Sequence, residues 1–238
     1  MKMKIIISAV VLALSLNACI KDVINGSGPQ VTEQRNVSNY TAIDLQLNAT
    51  IHYTEADTFS MEIIAQQNIL NEISTDVNDG KLIIRLPWDT KIISYDAITI
   101  NISAPAVSDF TISGSGNIFS SNMLHVLNSD FNISGSGKIA IASIETNDID
   151  ARISGSGKLE VNGGNSTNAD ITISGSGNAD IENVLCEHVK TTTSGSGDCR
   201  VYASNTLDVK ISGSGKVYYA GNPTITKNIS GSGKLIQL

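Results

Sequence analysis

The tetrapeptide Ser-Gly-Ser-Gly occurs seven times in this 238-residue chain, starting at Ser113, Ser134, Ser154, Ser174, Ser194, Ser212 and Ser230. The intervals are 21, 20, 20, 20, 18 and 18 residues. Ser-Gly runs ordinarily make flexible linkers, but slack chain keeps no period. A unit near twenty residues is too short to close a core of its own. It must bury its apolar side against its neighbours, which is the signature of a stacked repeat.

Aligned on the first serine, the copies form columns. One residue before it stand Ile112, Ile133, Ile153, Ile173, Thr193, Ile211 and Ile229. Five residues after it stand Ile118, Ile139, Leu159, Ala179, Cys199, Val217 and Leu235. The columns are six residues apart, so in extended chain they share a face with the two glycines, and the serines point the other way. That alternation describes half-buried strand. Glycine at both inward places permits a bend and close backbone approach, and the serines are expected to stack as hydroxyl ladders between coils. Strands stack about 4.7–4.9 Å apart, giving a rod roughly 30 Å long. The predicted fold is all-β, a parallel β-helix or β-solenoid with coils of about 20 residues spanning 106–238. An antiparallel sandwich would leave the register unexplained. Before it, residues 31–105 alternate without the motif, in AIDLQLNATIHY, GKLIIRLPW and AITINISAP. They are expected to be a β-rich cap over the first coil. Only Gln66 to Ile73 hints at a helical period.

The N-terminus reads MKMKIIISAVVLALSLNAC. Two lysines precede a short apolar run from Ile5 to Leu16, which suits a secretory signal over residues 1–18 and is too short for an ordinary span. Leu-Asn-Ala-Cys resembles the lipobox of bacterial lipoproteins. That resemblance implies cleavage before Cys19, lipidation of its thiol and a lipidated tether over 19–30, with acyl chains as the membrane anchor. Lys21-Asp22 resembles the export tag of surface lipoproteins in the Bacteroidetes. The chain carries a formal charge of −7, and without residues 1–18 it carries 14 Lys and Arg against 23 Asp and Glu, or −9. Nucleic acid is therefore excluded as a partner, since it rewards clustered basic residues. An envelope compartment permits a disulfide between Cys186 and Cys199; two buried free thiols are the alternative.

The lipoprotein signal, GKLIIRLPW, the seven ISGSG-type motifs and the closing KVYYAGNPTITKNISGSGKLIQL together resemble the head GIN domain family, named for auto-transporter adhesins and common in Bacteroidetes. The resemblance implies a right-handed β-helix in an outer-membrane lipoprotein of a Gram-negative envelope, facing the periplasm or the surface. It implies no catalytic residue.

The residues themselves offer little chemistry. His52, His125 and His188 are far apart, and the sequence contains no G-x-S-x-G, H-E-x-x-H, C-x-x-C or phosphate-loop motif. Four residues before the first serine stand Asp109, Asp130, Asp150, Asp170, Lys190, Asp208 and Thr226. In register, the first four make a ladder of like charges, which is destabilising unless something offsets it. Calcium is the candidate, as a hard cation that takes oxygen ligands; the alternative is turn duty with carboxylates in water. Four residues after the serine, Asn117, Lys138, Lys158, Asn178, Asp198, Lys216 and Lys234 form a stripe that either meets an acidic glycan or keeps the sheet soluble. Trp88, Tyr202 and Tyr218 are rings suited to sugar stacking, with packing in the core or cap the default for Trp88. The reading is a non-enzymatic envelope lipoprotein that binds a glycan or envelope component through its β-helix surface. The alternatives are a polysaccharide-active enzyme, with the Lys190 break beside His188 as its only pointer, and a structural or assembly protein of the envelope.

Overall fold

The computed structural model describes residues 22–238, so Cys19 and the signal segment lie outside the described residues. Nine strands precede the first motif: β1 (Asp22–Asn25), β2 (Gln30–Gln34), β3 (Ala42–Leu45), β4 (Thr50–Glu55), β5 (Ser60–Gln66), β6 (Ser74–Asn78), β7 (Lys81–Arg85), β8 (Thr90–Ser94) and β9 (Thr99–Ala104). A single helical turn, α1 (Gln67–Leu70), lies between β5 and β6. The remaining strands run from β10 (Asp109–Gly114) to β20 (Lys234–Gln237) and pair in parallel, each residue with its counterpart one coil on.

Each coil has three sides. The strand before the motif forms the first and the strand after it the second; a shorter ladder forms the third. Both apolar columns stack as predicted, Ile112 through Ile229 on the first side and Ile118 through Leu235 on the second. They continue into the region expected to be a separate cap. Ile84 and Leu45 extend the first column, and Ile100 and Ile51 extend the second. Residues 31–105 therefore supply two further layers, β7/β9 and β3/β4, within the same core. True capping falls to antiparallel strands: β6 on β7, β5 on β9 and β2 on β5. Part of the expected tether is also strand, since β1 pairs in parallel with β8.

The motif is the corner between the first two sides. Its first glycine has positive φ in every copy, from +110° to +138°, a region open to glycine and costly for other residues. Close approach adds to this. A Cβ on Gly195 would lie 2.3 Å from the Gly175 carbonyl oxygen. The second glycine packs on the isoleucine column one coil back, so a Cβ on Gly157 would lie 2.3 Å from Ile133 Cγ2. The serine hydroxyl ladder expected outside the corner is not what stacks it. Backbone does this work: the Ser136, Ser156, Ser176 and Ser196 amides donate to the carbonyls of Gly114, Gly135, Gly155 and Gly175 at 2.8–2.9 Å. The opposite corner uses inward hydroxyls, with Thr146 and Ser166 donating to the Leu127 and Asn147 carbonyls, each at 3.0 Å.

These contacts set two expectations for chemical denaturation. Gly195→Ala combines a positive φ with a carbonyl overlap and should cost about 1–3 kcal/mol or more, whereas exposed Ser196→Ala should stay within about 0.5 kcal/mol. Equal losses would return the corner to the hydroxyls. Thr193 replaces isoleucine in the first column, and its Oγ1 is buried without a partner. Thr193→Val keeps the shape and removes that unmet polar atom, so it should stabilise by about 1–2 kcal/mol.

Candidate functional site

The aspartate ladder forms in register: Asp109, Asp130, Asp150 and Asp170 are successive partners, followed by Lys190 and Asp208. Protein cations offset it. Arg152 lies 2.7 Å from Asp150 and 3.5 Å from Asp130, and Lys190 lies 2.5 Å from Asp170. Among the described residues no three His, Cys, Asp or Glu side chains converge to hold a metal. Strand spacing keeps the carboxylates in file, and Arg152 and Lys190 supply from within the protein the positive charge for which calcium was the candidate. Partial desolvation, and then the neighbouring carboxylates, still hold the Asp130 and Asp150 carboxyls above the usual range despite Arg152.

The other expected features also resolve into structure. Lys138 and Lys158 both pair with Glu160 and lower its pKa against a partial desolvation, so the basic stripe is partly neutralised at its centre. Arg200 lies 4.8 Å above the Tyr218 ring and pairs with Glu182 at 2.8 Å, which occupies the ring face a sugar would use. His125 contacts Glu55 at 3.3 Å, His188 contacts Thr206 at 2.8 Å and His52 stacks on Phe119. Cys186 and Cys199 are buried free thiols. Of the two alternatives for this pair the structure has the free thiols, with Cys186 in the inward hydroxyl column, beside Ser166 and Ala203, and Cys199 in the second apolar column, beside Ala179 and Val217. Burial pushes the Cys186 thiol up to about 12 and raises that of Cys199 as well.

What the sequence reading missed lies on the third side. Val126 and Leu127, with residues of the next coils through Tyr202 and Ser204, line a groove of ≈ 580 Å³. Leu127 is 76% exposed and Leu185 58%, unusual for aliphatic side chains on an otherwise polar coil. Around them stand Glu145, Asn147, Asn165, Thr167 and Glu187. Of these residues only Tyr202 stands out in the sequence, as an aromatic. The groove ends where the coil shortens: Ile181 pairs with Val201, but Cys186 already pairs with Ala203. The drop from 20 to 18 residues is thus taken up on the third side, which brings Tyr202 and Ser204 to the end of the groove. The first interval of 21 has the same origin, a bulge between Ser120 and Met123.

This is a β-solenoid with an open, mixed polar and apolar groove across several coils. The chain belongs to the family described as "Putative auto-transporter adhesin, head GIN domain", whose model matches residues 39–223. Its fold is similar to that of a putative adhesin from Bacteroides fragilis NCTC 9343, at 24% identity, TM-score 0.85, covering 90% of this chain and 100% of the other. It is also similar to a putative lipid binding protein from Parabacteroides distasonis ATCC 8503, at 23% identity, TM-score 0.78 and coverage of 91% and 100%. A putative adhesin from Parabacteroides merdae ATCC 43184 matches at 18% identity, TM-score 0.73 and coverage of 91% and 99%. No curated protein matches the sequence.

The raised ladder carboxyls carry a definite sign. Native Asp130 and Asp150 bind protons more readily than the unfolded chain, so their contribution is full below pH 3.8 and is lost as pH rises through the folded pKa. Asp150→Asn should therefore flatten the fall in melting temperature above pH 3.8. An unchanged pH profile would show that Arg152 cancels the ladder completely.

Proposed function

We propose that the protein is a non-enzymatic, lipid-anchored envelope adhesin whose third-side groove binds a neutral glycan. The observation that carries this reading is the lining of the groove. Glu145 and Glu187 accept hydrogen bonds, Asn147, Asn165 and Thr167 both donate and accept, and the apolar surfaces of Leu127, Leu185 and Tyr202 offer a bed for a sugar ring's C–H face. The two carboxylates disfavour an acidic glycan. Family membership supports adhesion, and the names of the Bacteroides and Parabacteroides relatives agree with it. The name of the Parabacteroides distasonis relative supports an acyl chain as the competing ligand, with the exposed leucines in its favour and the polar rim against it. Among the described residues no helix is long and apolar enough to cross a membrane. The anchor is read as Cys19, cleaved and acylated, holding the domain at the outer membrane on its periplasmic or surface face.

A panel of neutral and acidic polysaccharides and fatty acids, scored for both retention and cleavage, tests this. Retention of a neutral glycan without cleavage is expected, weakened about tenfold or more by Tyr202→Ala or Leu185→Ser. Cleavage would overturn the non-enzymatic reading. Retention unaffected by both variants would move the site elsewhere.

A further inference from the structure

The first layer departs from the rest at the motif corner. In the motif coils six residues separate the two apolar columns, as from Ile112 to Ile118, whereas sixteen separate Ile84 from Ile100. The extra chain forms a flap containing Trp88 and β8, on which β1 pairs through Val23–Lys91 and Ile24–Ile92. Ile24 and Ile92 turn inward and pack against the core. The base of this two-stranded ribbon is tied down by Gly26 N donating to Ser94 O at 2.6 Å and Asn68 Nδ2 donating to Asn25 O at 2.7 Å. The other face is apolar and bare. Trp88 is 75% exposed, Ile93 56% and Val23 55%, and Lys91 is exposed between them. Trp88 therefore belongs neither to the core nor to the cap, against the default expected from sequence.

The position of Cys19 decides what covers this face. It stands three residues before Asp22, and three residues of fully extended chain span at most about 11 Å. If Cys19 carries acyl chains in a bilayer, β1 is held at the bilayer surface. We propose that the β1–β8 ribbon is a second membrane contact, with Trp88, Ile93 and Val23 entering the headgroup–acyl boundary of the bilayer that holds Cys19. Tryptophan is suited to that depth by its apolar ring and polar N–H, aliphatic side chains gain by leaving water, and Lys91 can keep its ammonium among headgroups while its stem lies along the ribbon. The inference rests on the lipid-anchor reading of Cys19 and adds an oriented protein surface to it.

Trp88 is the only tryptophan in the chain, so its fluorescence reports this face alone. The mature chain, which contains every residue of the core, is placed in phosphatidylethanolamine–phosphatidylcholine vesicles brominated on the acyl chains. One preparation is acylated by a bacterial host, and the other is coupled through Cys19 to a maleimide lipid. Emission should shift to shorter wavelength and be quenched in both. The double variant Val23→Ser, Ile93→Ser should lose most of the quenching, about tenfold in the contact equilibrium for each side chain. Water-like, unquenched emission from vesicle-bound protein would overturn the second contact. Quenching of the coupled chain, together with a host product that carries no acyl group, would instead overturn the lipid anchor and leave the contact standing.

Discussion

Each of the seven motif coils is fixed to the next by backbone meeting backbone at the Ser-Gly-Ser-Gly corner. A serine amide donates to the glycine carbonyl one coil back, and the glycine just before that serine, as Gly195 before Ser196, cannot carry a side chain without striking the same carbonyl. The contact removes two freedoms together. It forbids the corner from sliding along the axis, and it forces the flanking residues into one register. The isoleucine columns are its consequence: with the corner pinned, position −1 of each copy meets position −1 of the next. Hydrophobic burial provides most of the stabilisation, but the glycines determine which surfaces are buried.

Because the corner holds register on two sides, the third side is free to change length. The intervals of 21, 20 and 18 residues are all reconciled there, by a bulge near Ser120 and a shortened path near Cys186. The groove is the geometric residue of that adjustment. Its floor includes inward-facing Thr146 and Ser166, which satisfy carbonyls at the turn. Its walls carry the exposed leucines. Polarity inside and apolarity outside reverse the pattern of the other two sides, and the turn chemistry accounts for the inner half of that reversal.

Much of this was legible before any coordinates. The periodic motif fixed the solenoid, its coil length and both apolar columns, because glycine and isoleucine at set spacing have few other uses. The aspartate ladder was legible as a register, but its offset by Arg152 was not, since that cation lies two residues from Asp150 along the strand and outside the column. The extra layers in residues 31–105 were hidden because QLNA replaces the motif between Leu45 and Thr50, so only the six-residue spacing from Leu45 to Ile51 records the coil. The groove was hidden for a different reason. Glu145, Asn165 and Leu185 share one offset from the serines and Leu127, Asn147, Thr167 and Glu187 another, but each column mixes apolar, polar and charged residues, so no repeated chemistry marks it. Tyr202 was picked out only as an aromatic, without its neighbours.

The shortened coils have a wider consequence. A solenoid of constant perimeter presents a smooth prism, and relief must then be made by side chains alone. Here removing two residues from a coil creates a step in the wall while leaving the two apolar columns beside the corner intact. Recognition relief in such a molecule is written by deletion and insertion, and the corner acts as a fixed margin against which each line can be indented. A ligand surface of this kind can be reshaped without passing through an unfolded intermediate sequence.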